Sequence, residues 1–593
     1  MSEGIPKGGS FLIEKVGSRK IFTPEDFNDE QKAMAETAKK FCDNEILPKR
    51  EQIDHKEPGL MPSIIKKAGE VGLLMVSIPQ EYGGLGMDKK TFVLVGEMLA
   101  PEASSFVSMS AHTCIGTQPT IFFGNEEQKQ KYLPKLATGE MIAAYCLTET
   151  GAGSDAMGLK TKAVLSPDGK HYILNGGKQF ITNGAIGDLY TVFAHIDGDR
   201  KKAAAFLVEK GTPGFSYGTE EKKMGIKGSS TTSLTFEDCK VPAENLLGKI
   251  GEGGKIAFSV LDLGRLQVGG ACAGGAKWLL KQTVQYCKDR VQFKKPIIEF
   301  GMVQRLLSDC AILIYAMETI SYRSADLIDK ALEAIPAGDP DTHAKKLAAI
   351  GNYASECSVV KVFGSEGLSK VADMCLQAYG GYGFTEEYPA EKIARDCRVN
   401  RIFEGTNEIN RQILIGSIVR SAVKNEIPLM QAVASTMSDL KKKAMPQPEK
   451  GPVGMAMALT EQSKRLALYA INVAFTKLGQ QMMDEQIVAE MLADIIIECY
   501  CSDSACGRTI QLAADKGEKN AELALLLNNL WCFESHQRVA DLARRLVANF
   551  STEAEIAGHI ENLIQMAKPA LFNFVSAKHR VAEILNAQGE YKI

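Results

Sequence analysis

Hydrophobic and polar positions divide this chain into stretches of different period. From Thr23 onward apolar residues recur at helical spacing, through 33–47, 62–71, 89–99 and 125–135, the last ending near Gly139. Thr23-Pro24-Glu25-Asp26 reads as the first helix start, with proline at the first position and acids in the first turn. Residues 1–22 show no period and read as an irregular arm. The glycine-rich break at 80–86 lacks the lysine and hydroxyl residue of a phosphate loop and reads as a turn. From Met141 the pattern becomes strand-like: 141–148, 161–165, 171–174, 189–196, 203–208 and 233–236. Ser166-Pro167-Asp168-Gly169 is a hairpin turn between two of these. Val241-Pro242 and the glycines at 251–254 close the β stretch.

Helical spacing then returns at 256–290, 301–335 and 341–379. The small residues at 269–275 suit a close helix crossing, since glycine inside a helix otherwise costs about 1 kcal/mol. A charged, proline-bearing linker at 441–452 precedes further helices at 454–478, 484–499, 521–533 and 537–550. No repeat period emerges. The predicted fold is mainly α with a middle β domain. Its parts are an arm (1–22), an N-terminal helical domain (23–142), a middle β domain (143–249), a helical bundle (250–423) and a C-terminal helical extension (424–593).

Composition narrows the function classes. At 593 residues the chain exceeds one ordinary domain. A net charge of −3 with no basic segment gives no reason to expect nucleic acid. No apolar run reaches the roughly 18–20 residues of a spanning helix, and the first residues resemble neither signal peptide nor presequence. A cytoplasmic protein is expected. Fourteen scattered cysteines suit a reducing compartment, and neither Cys499, Cys501 and Cys506 nor the histidines form a metal-ligand pattern, so no metal is expected.

Three stretches can carry chemistry. In Arg401–Arg411, Gly405 allows a tight turn and Thr406 stands where a helix cap belongs. Glu404 then hangs outside the helix start beside Phe403. It is either a cap or partner of Arg401, or a base whose pKa is raised by burial. Tyr145–Asp155 runs from a strand into Gly151-Ala152-Gly153-Ser154. A dinucleotide fold would continue into a helix with a third glycine, so this is either a plain turn or a loop offering N–H groups and the Ser154 hydroxyl to a phosphate. In Gln179–Gly184, Phe180 beside Thr182 suits a planar cofactor or an ordinary strand end.

Taken in order, TETGAGSD (148–155), QFITNG (179–184), DRVQFKKPI (289–297), QAYGGYGF (377–384) and IFEGTNEINR (402–411) resemble the acyl-CoA dehydrogenase family over about residues 25–420. The helical extension resembles that of the very-long-chain branch. The resemblance implies a helical domain, a β-barrel-like domain and a four-helix bundle around FAD. It implies Glu404 as the base removing the α-proton of an acyl-CoA, the β-hydrogen leaving as hydride to flavin N5, and a trans-2-enoyl-CoA product. The implied FAD contacts are Tyr145, Leu147, Thr148, Gly153, Ser154, Phe180, Ile181, Thr182, Thr406 and Glu408. Arg290, Gln377, Gly380 and Gly381 would come from a neighbouring subunit. Ser154, Asp262, Arg265, Phe403 and Gly405 would meet substrate. Some branches carry the base at the position of Gly264, where glycine cannot serve.

Further expectations follow from that resemblance. Electrons pass to an electron-transfer flavoprotein; an acyl-CoA oxidase and a DNA-associated relative are the rivals. Small residues at Ser108, Ser110 and Ala111 leave a deep acyl tunnel and favour long chains in fatty-acid β-oxidation. The extension covers a surface that tetrameric relatives use, which predicts a homodimer. The apolar stripe of 455–478, edged by Lys464, Arg465 and Lys477, either packs in the extension's own core or lies peripherally on the inner face of a membrane.

Overall fold

The structure is a computed structural model that describes residues 4–593 apart from 337, 340, 445, 568 and 569. The first long helix starts later than Thr23. Pro24–Asp26 forms only a short 3-10 turn, because Phe27 leaves helical geometry and packs edge-on against Tyr322 at 4.9 Å. Helix α1 (Asp29–Phe41) is capped instead by Asn28, which exchanges hydrogen bonds with Gln31. Helices α2 (Lys89–Leu99), α3 (Ala103–Ser110) and α4 (Glu126–Thr138) follow, α4 ending at Gly139 with φ +72°.

The middle domain is an eight-stranded sheet built from β1 (Ala143–Cys146), β2 (Lys162–Leu165), β3 (His171–Thr182), β4 (Leu189–Ile196), β5 (Ala203–Glu209), β6 (Phe215–Tyr217), β7 (Thr231–Pro242) and β8 (Leu246–Leu247). Its order is β6-β7-β3-β2-β4-β5-β8, with β1 pairing parallel to β4. β3 (His171–Thr182) and β7 (Thr231–Pro242) run longer than the sequence suggests and pair antiparallel. Their register shifts between Lys178 and Ile181, so an irregularity falls on Gln179 and Phe180.

The bundle consists of α5 (Gly253–Asp289), α6 (Gly301–Glu333), α7 (Ala354–Tyr379) and α8 (Asn407–Val423). The stretch predicted as one helix from 341 breaks at Tyr353, which is buried and whose hydroxyl donates to the Pro6 carbonyl at 2.8 Å. The small residues of α5 do permit a close crossing. A Cβ at Gly269 would stand 2.2 Å from Val360 of α7, and one at Gly274 would stand 2.1 Å from the Glu97 carbonyl of α2.

The extension holds α9 (Gly454–Leu478), α10 (Gln486–Lys516), α11 (Glu522–Phe550), α12 (Glu553–Met566) and α13 (Phe574–Gln588). Helix α10 continues well past Cys499, where the apolar period is interrupted by Ser502, Asp503, Ser504 and Arg508. All four are buried; Ser502 bonds Ser535 of α11, while Asp503 meets Arg323 of the bundle at 2.6 Å. The extension therefore shares one apolar core with the bundle. The apolar stripe of α9, including Leu459, Leu466, Tyr469 and Val473, is buried, and Lys464 is a buried partner of Asp503. Most of that stripe packs inward, while Met455 and Phe475 of the same helix stay exposed. No helix among the described residues is long and apolar enough to cross a membrane. The arm is irregular yet bound to the extension: Phe11, Leu12 and Val16 are buried, and the Val16 N–H donates to Glu461 at 2.6 Å.

Candidate active site

Glu404 sits in a turn between a 3-10 segment (Cys397–Arg401) and the start of α8, with φ +56°, followed by Gly405 at φ +79°. A glutamate at positive φ stores roughly 1–3 kcal/mol of strain and needs its surroundings to hold it. Three side chains do so. Asn410 donates to the carbonyls of Gly405 and Thr406 at 2.9 and 3.0 Å, with a longer contact to that of Glu404. Lys361, buried in α7, donates to the Gly405 carbonyl and to Asn407, both at 2.7 Å. Arg265 of α5 donates to the Glu404 carbonyl at 3.2 Å. Thr406 is the cap of α8, accepting from the Ile409 N–H.

The carboxylate itself is left bare. Its Oε2 is buried and has no hydrogen-bond partner among the described residues. Burial pushes its pKa up to about 7, against the opposing pull of Arg265 and Lys361. It faces Gly264, where a Cβ would stand 2.8 Å from Oε2. Glycine at 264 thus vacates the space that the carboxylate fills, and the two positions address one point. Tyr145 lies near: burial and the Glu404 carboxylate hold its phenol well above the usual range, and its hydroxyl donates to the Ala257 carbonyl of α5. An unpaired carboxyl with a pKa near neutrality is equipped to take up a proton.

Asp262 and Arg265, the expected substrate contacts, lie side by side on α5. They form a buried pair at 2.6 Å, one helical turn apart, and Arg265 braces the Glu404 turn.

Comparison with known proteins agrees with the geometry. The pattern "Acyl-CoA dehydrogenase, N-terminal domain" matches residues 28–140, the middle domain 144–239, and two patterns each described as "Acyl-CoA dehydrogenase, C-terminal domain" match 251–418 and 462–559. A "Probable acyl-CoA dehydrogenase" of Bacillus subtilis is 40% identical over 578 residues, 98% of this chain and 97% of that one. This chain belongs to the acyl-CoA dehydrogenase family. The human very long-chain specific acyl-CoA dehydrogenase is 32% identical over 502 residues, 80% of this chain and 73% of its own. A crystal structure of an acyl-CoA dehydrogenase complexed with FAD from Bacillus anthracis superposes with a TM-score of 0.96 at 39% identity, covering 99% of this chain and 100% of that one. This acyl-CoA dehydrogenase is accordingly an oxidoreductase of a family that uses FAD.

Its residues suit that group. Phe180 is 63% exposed at φ +58°, because the irregularity in β3 turns its ring out of the sheet while Ile181 stays in the core. Gly151 and Gly153 border open space, and Gly153 and Ser154 are exposed. Leu147 is buried, Thr148 and Thr182 are half-buried, and Glu408 is exposed on the first turn of α8. The loop is no plain turn. The buried Glu149 carboxylate accepts from the Lys160 N–H, the Thr161 hydroxyl and Lys178, the last at 2.7 Å. Burial pushes the Glu149 carboxyl up, but these partners hold it below the ordinary range.

The expected cofactor contacts fall into two groups within this acyl-CoA dehydrogenase chain. Arg290, whose guanidinium lies 5.3 Å over the Tyr382 ring, shares a patch with exposed Gln377, Gly380 and Gly381. Arg290 is 25 positions along the chain from Arg265, which is about 37 Å of helix. Phe293, Met302 and Phe384 are exposed around it. Lys361, Asn410 and Glu149 went unnoticed in the sequence. Asn410 carries a local signal, since asparagine readily bonds nearby backbone carbonyls at a helix start; a lone lysine on an apolar helix carries none.

Proposed function

We propose that this enzyme dehydrogenates long-chain acyl-CoA thioesters to trans-2-enoyl-CoA, with Glu404 as the α-proton acceptor. The observation that carries the reading is the buried, unpartnered Glu404 carboxylate opposite Gly264. Lys361, Asn410 and Arg265 hold the turn so that the carboxylate meets the α-carbon without reorganisation. The Glu404 N–H is the donor proposed for the thioester oxygen as charge develops there. FAD, when bound, accepts the β-hydrogen with its electron pair. Phe180, Thr182 and the Glu149-anchored loop would hold FAD, with Thr406 and Glu408 beside the base. Ser154 is the proposed outer contact to CoA, and Phe403 and Gly405 flank the reacting carbons.

The separation of Arg290, Gln377, Gly380 and Gly381 from the Glu404 site supports a homodimer in which each patch completes the site of the other copy. The extension supports two subunits rather than four: α13 packs on α6, where Ser308 donates to the Lys578 carbonyl at 2.6 Å. Electron-transfer flavoprotein is the proposed acceptor. Full anaerobic transfer to it, without peroxide in air, is the expected outcome; peroxide formed at the turnover rate points to the oxidase reading.

Chain length is set at the far end of α3. Ser108 and Ala111 are buried and small, while Ser110 donates to Gln267 at 2.5 Å. Behind that pair lies a void of about 20 Å³ bounded by Phe92, Leu99 and Met109. Palmitoyl-CoA is expected to reduce the bound FAD with higher kcat/KM than octanoyl-CoA; equal values overturn the long-chain reading. Gln267→Ala joins the void to the tunnel and is expected to raise that ratio about fourfold per extra methylene housed, from roughly 0.8 kcal/mol each.

Gly264→Ala tests the site geometry. Its methyl group displaces the carboxylate, and a misplacement of about 1 Å costs on the order of a hundredfold. Stopped-flow FAD reduction is expected to slow by that factor with FAD content unchanged. A wild-type rate places the reacting carboxylate elsewhere.

A further inference from the structure

The extension contains a second pocket remote from Glu404. Helices α11 and α12 form a hairpin that does not close. Between them, floored by Leu459 of α9, is a cleft of about 660 Å³. That lies within the roughly 300–1,000 Å³ of small-molecule sites. Its walls are mostly apolar, with Ala540 and Val547 from α11 and Ile560 and Leu563 from α12. Ile556, Ile560 and Ile564 recur every fourth residue of α12 and line the cleft, yet stay 43%, 50% and 63% exposed. An apolar stripe at that spacing normally seats on a core.

Gln537 and Arg544 at the exposed rim and the half-buried Ser551 and His559 also line it, but the buried polar group of the wall is a histidine. His536 is 5% exposed and lines the cleft. Its Nδ1 lies 2.9 Å from the Ser463 hydroxyl. That hydroxyl has a single proton, which it donates to the Leu459 carbonyl at 2.9 Å. It must therefore accept from Nδ1–H, which assigns the tautomer. Burial pushes the His536 pKa down to about 4, so the ring is neutral near pH 7. Nε2 is then a bare acceptor, buried and without a partner among the described residues. A buried acceptor in apolar surroundings gains most from a hydrogen-bond donor. A carboxylate or phosphate head would bring a second lone pair against it.

We propose that this cleft binds a single-chain lipid whose head is a neutral O–H donor, either a long-chain alcohol or an undissociated fatty acid. The hydroxyl donates to His536 Nε2 and the chain runs past Ala540 toward Val547. The eleven steps of α11 from His536 to Val547 span about 16 Å.

The test is equilibrium dialysis of radiolabelled dodecan-1-ol against the full-length FAD-loaded enzyme, with excess enoyl-CoA filling the catalytic tunnel. Saturable binding is expected, with dodecyl methyl ether, which lacks the donor, at least tenfold weaker as a competitor. His536→Phe is expected to erase the difference between alcohol and ether. Ala540→Trp, which fills the cleft from α11, is expected to abolish binding while leaving acyl-CoA turnover unchanged. Should that variant fold poorly, Ile560→Trp fills the cleft from a half-exposed position. Lauric acid at pH 5 and pH 8 separates the two sources: competition confined to low pH assigns the undissociated acid, and none at either pH assigns the alcohol. No saturable binding, equal affinity for alcohol and ether, or binding untouched by both fillings overturns the proposal. So does a change of oligomeric state in Ile560→Trp, which makes the cleft an interface between copies.

Discussion

Glu404→Gln is expected to keep its FAD and lose about a thousandfold in the rate of substrate-driven FAD reduction, the middle of the range for losing a general base. The amide preserves size and shape in the Gly264 gap but cannot take the proton. The wild-type rate is expected to rise with pH through about 7 and level off above it, because the ionised carboxylate is the active form. The residual rate of the variant is expected to be flat across that range. Stability moves the other way. The folded pKa of about 7 lies above the ordinary 4.5, so between those values the native state holds a proton that the unfolded chain has released. Ionisation as pH rises through 7 therefore costs the fold up to about 3 kcal/mol. Glu404→Gln is expected to be more stable than wild type at pH 8 and nearly equal at pH 4.5, read by thermal unfolding. Full activity in the variant removes Glu404 from the mechanism; equal stability at pH 8 shows that its carboxylate is hydrated.

Arg508→Met is expected to cost roughly 3–5 kcal/mol, the usual penalty for removing one partner of a buried ionic cluster. Arg508 is among the largest fully buried side chains and joins three parts of the chain. It donates to Glu318 of α6 at 2.6 Å, to both oxygens of Glu25 at 2.5 and 3.0 Å, and lies over the Tyr315 ring. Lys277 and the Tyr591 hydroxyl complete the cluster around Glu318. Burial pushes the Glu318 carboxyl up, but Arg508 and Lys277 outweigh it and hold the pKa at about 2. The stability this carboxylate contributes is present above about 4.5 and is lost as pH falls through 2. The gap between Arg508→Met and wild type is therefore expected to be full at pH 7 and to narrow as pH falls. Denaturant midpoints measured at several pH values check this, and a gap that does not change with pH assigns the loss to packing.

The domain order was legible because period alone separates helix from strand: spacing near 3.6 before Gly139, near 2 from Met141, and 3.6 again after Gly254. The motif around Glu404 was legible because its elements are local, a cap at Thr406 and a glycine turn at Gly405. Where period was broken, the reading faltered. Helix α10 passes through Asp503 and Arg508, whose charges look like a solvated end in sequence and are buried against Arg323 and Glu318 in the fold. That Arg265 reaches the Glu404 carbonyl was not legible either, since the two lie 139 positions apart.

The sequence by itself determined the succession of elements and the turn that carries Glu404. Those features depend on backbone conformation and on neighbours a few residues away. Only the tertiary structure decided that Glu404 faces Gly264, that Lys361 and Arg265 hold its turn, and that burial lifts its pKa to about 7. Tertiary structure alone also sent most of the α9 stripe inward and left that of α12 lining an open cleft with an unpartnered histidine nitrogen. The two helices carry similar apolar spacing. Burial and desolvation are properties of what packs from distant parts of the chain, and no local pattern encodes them.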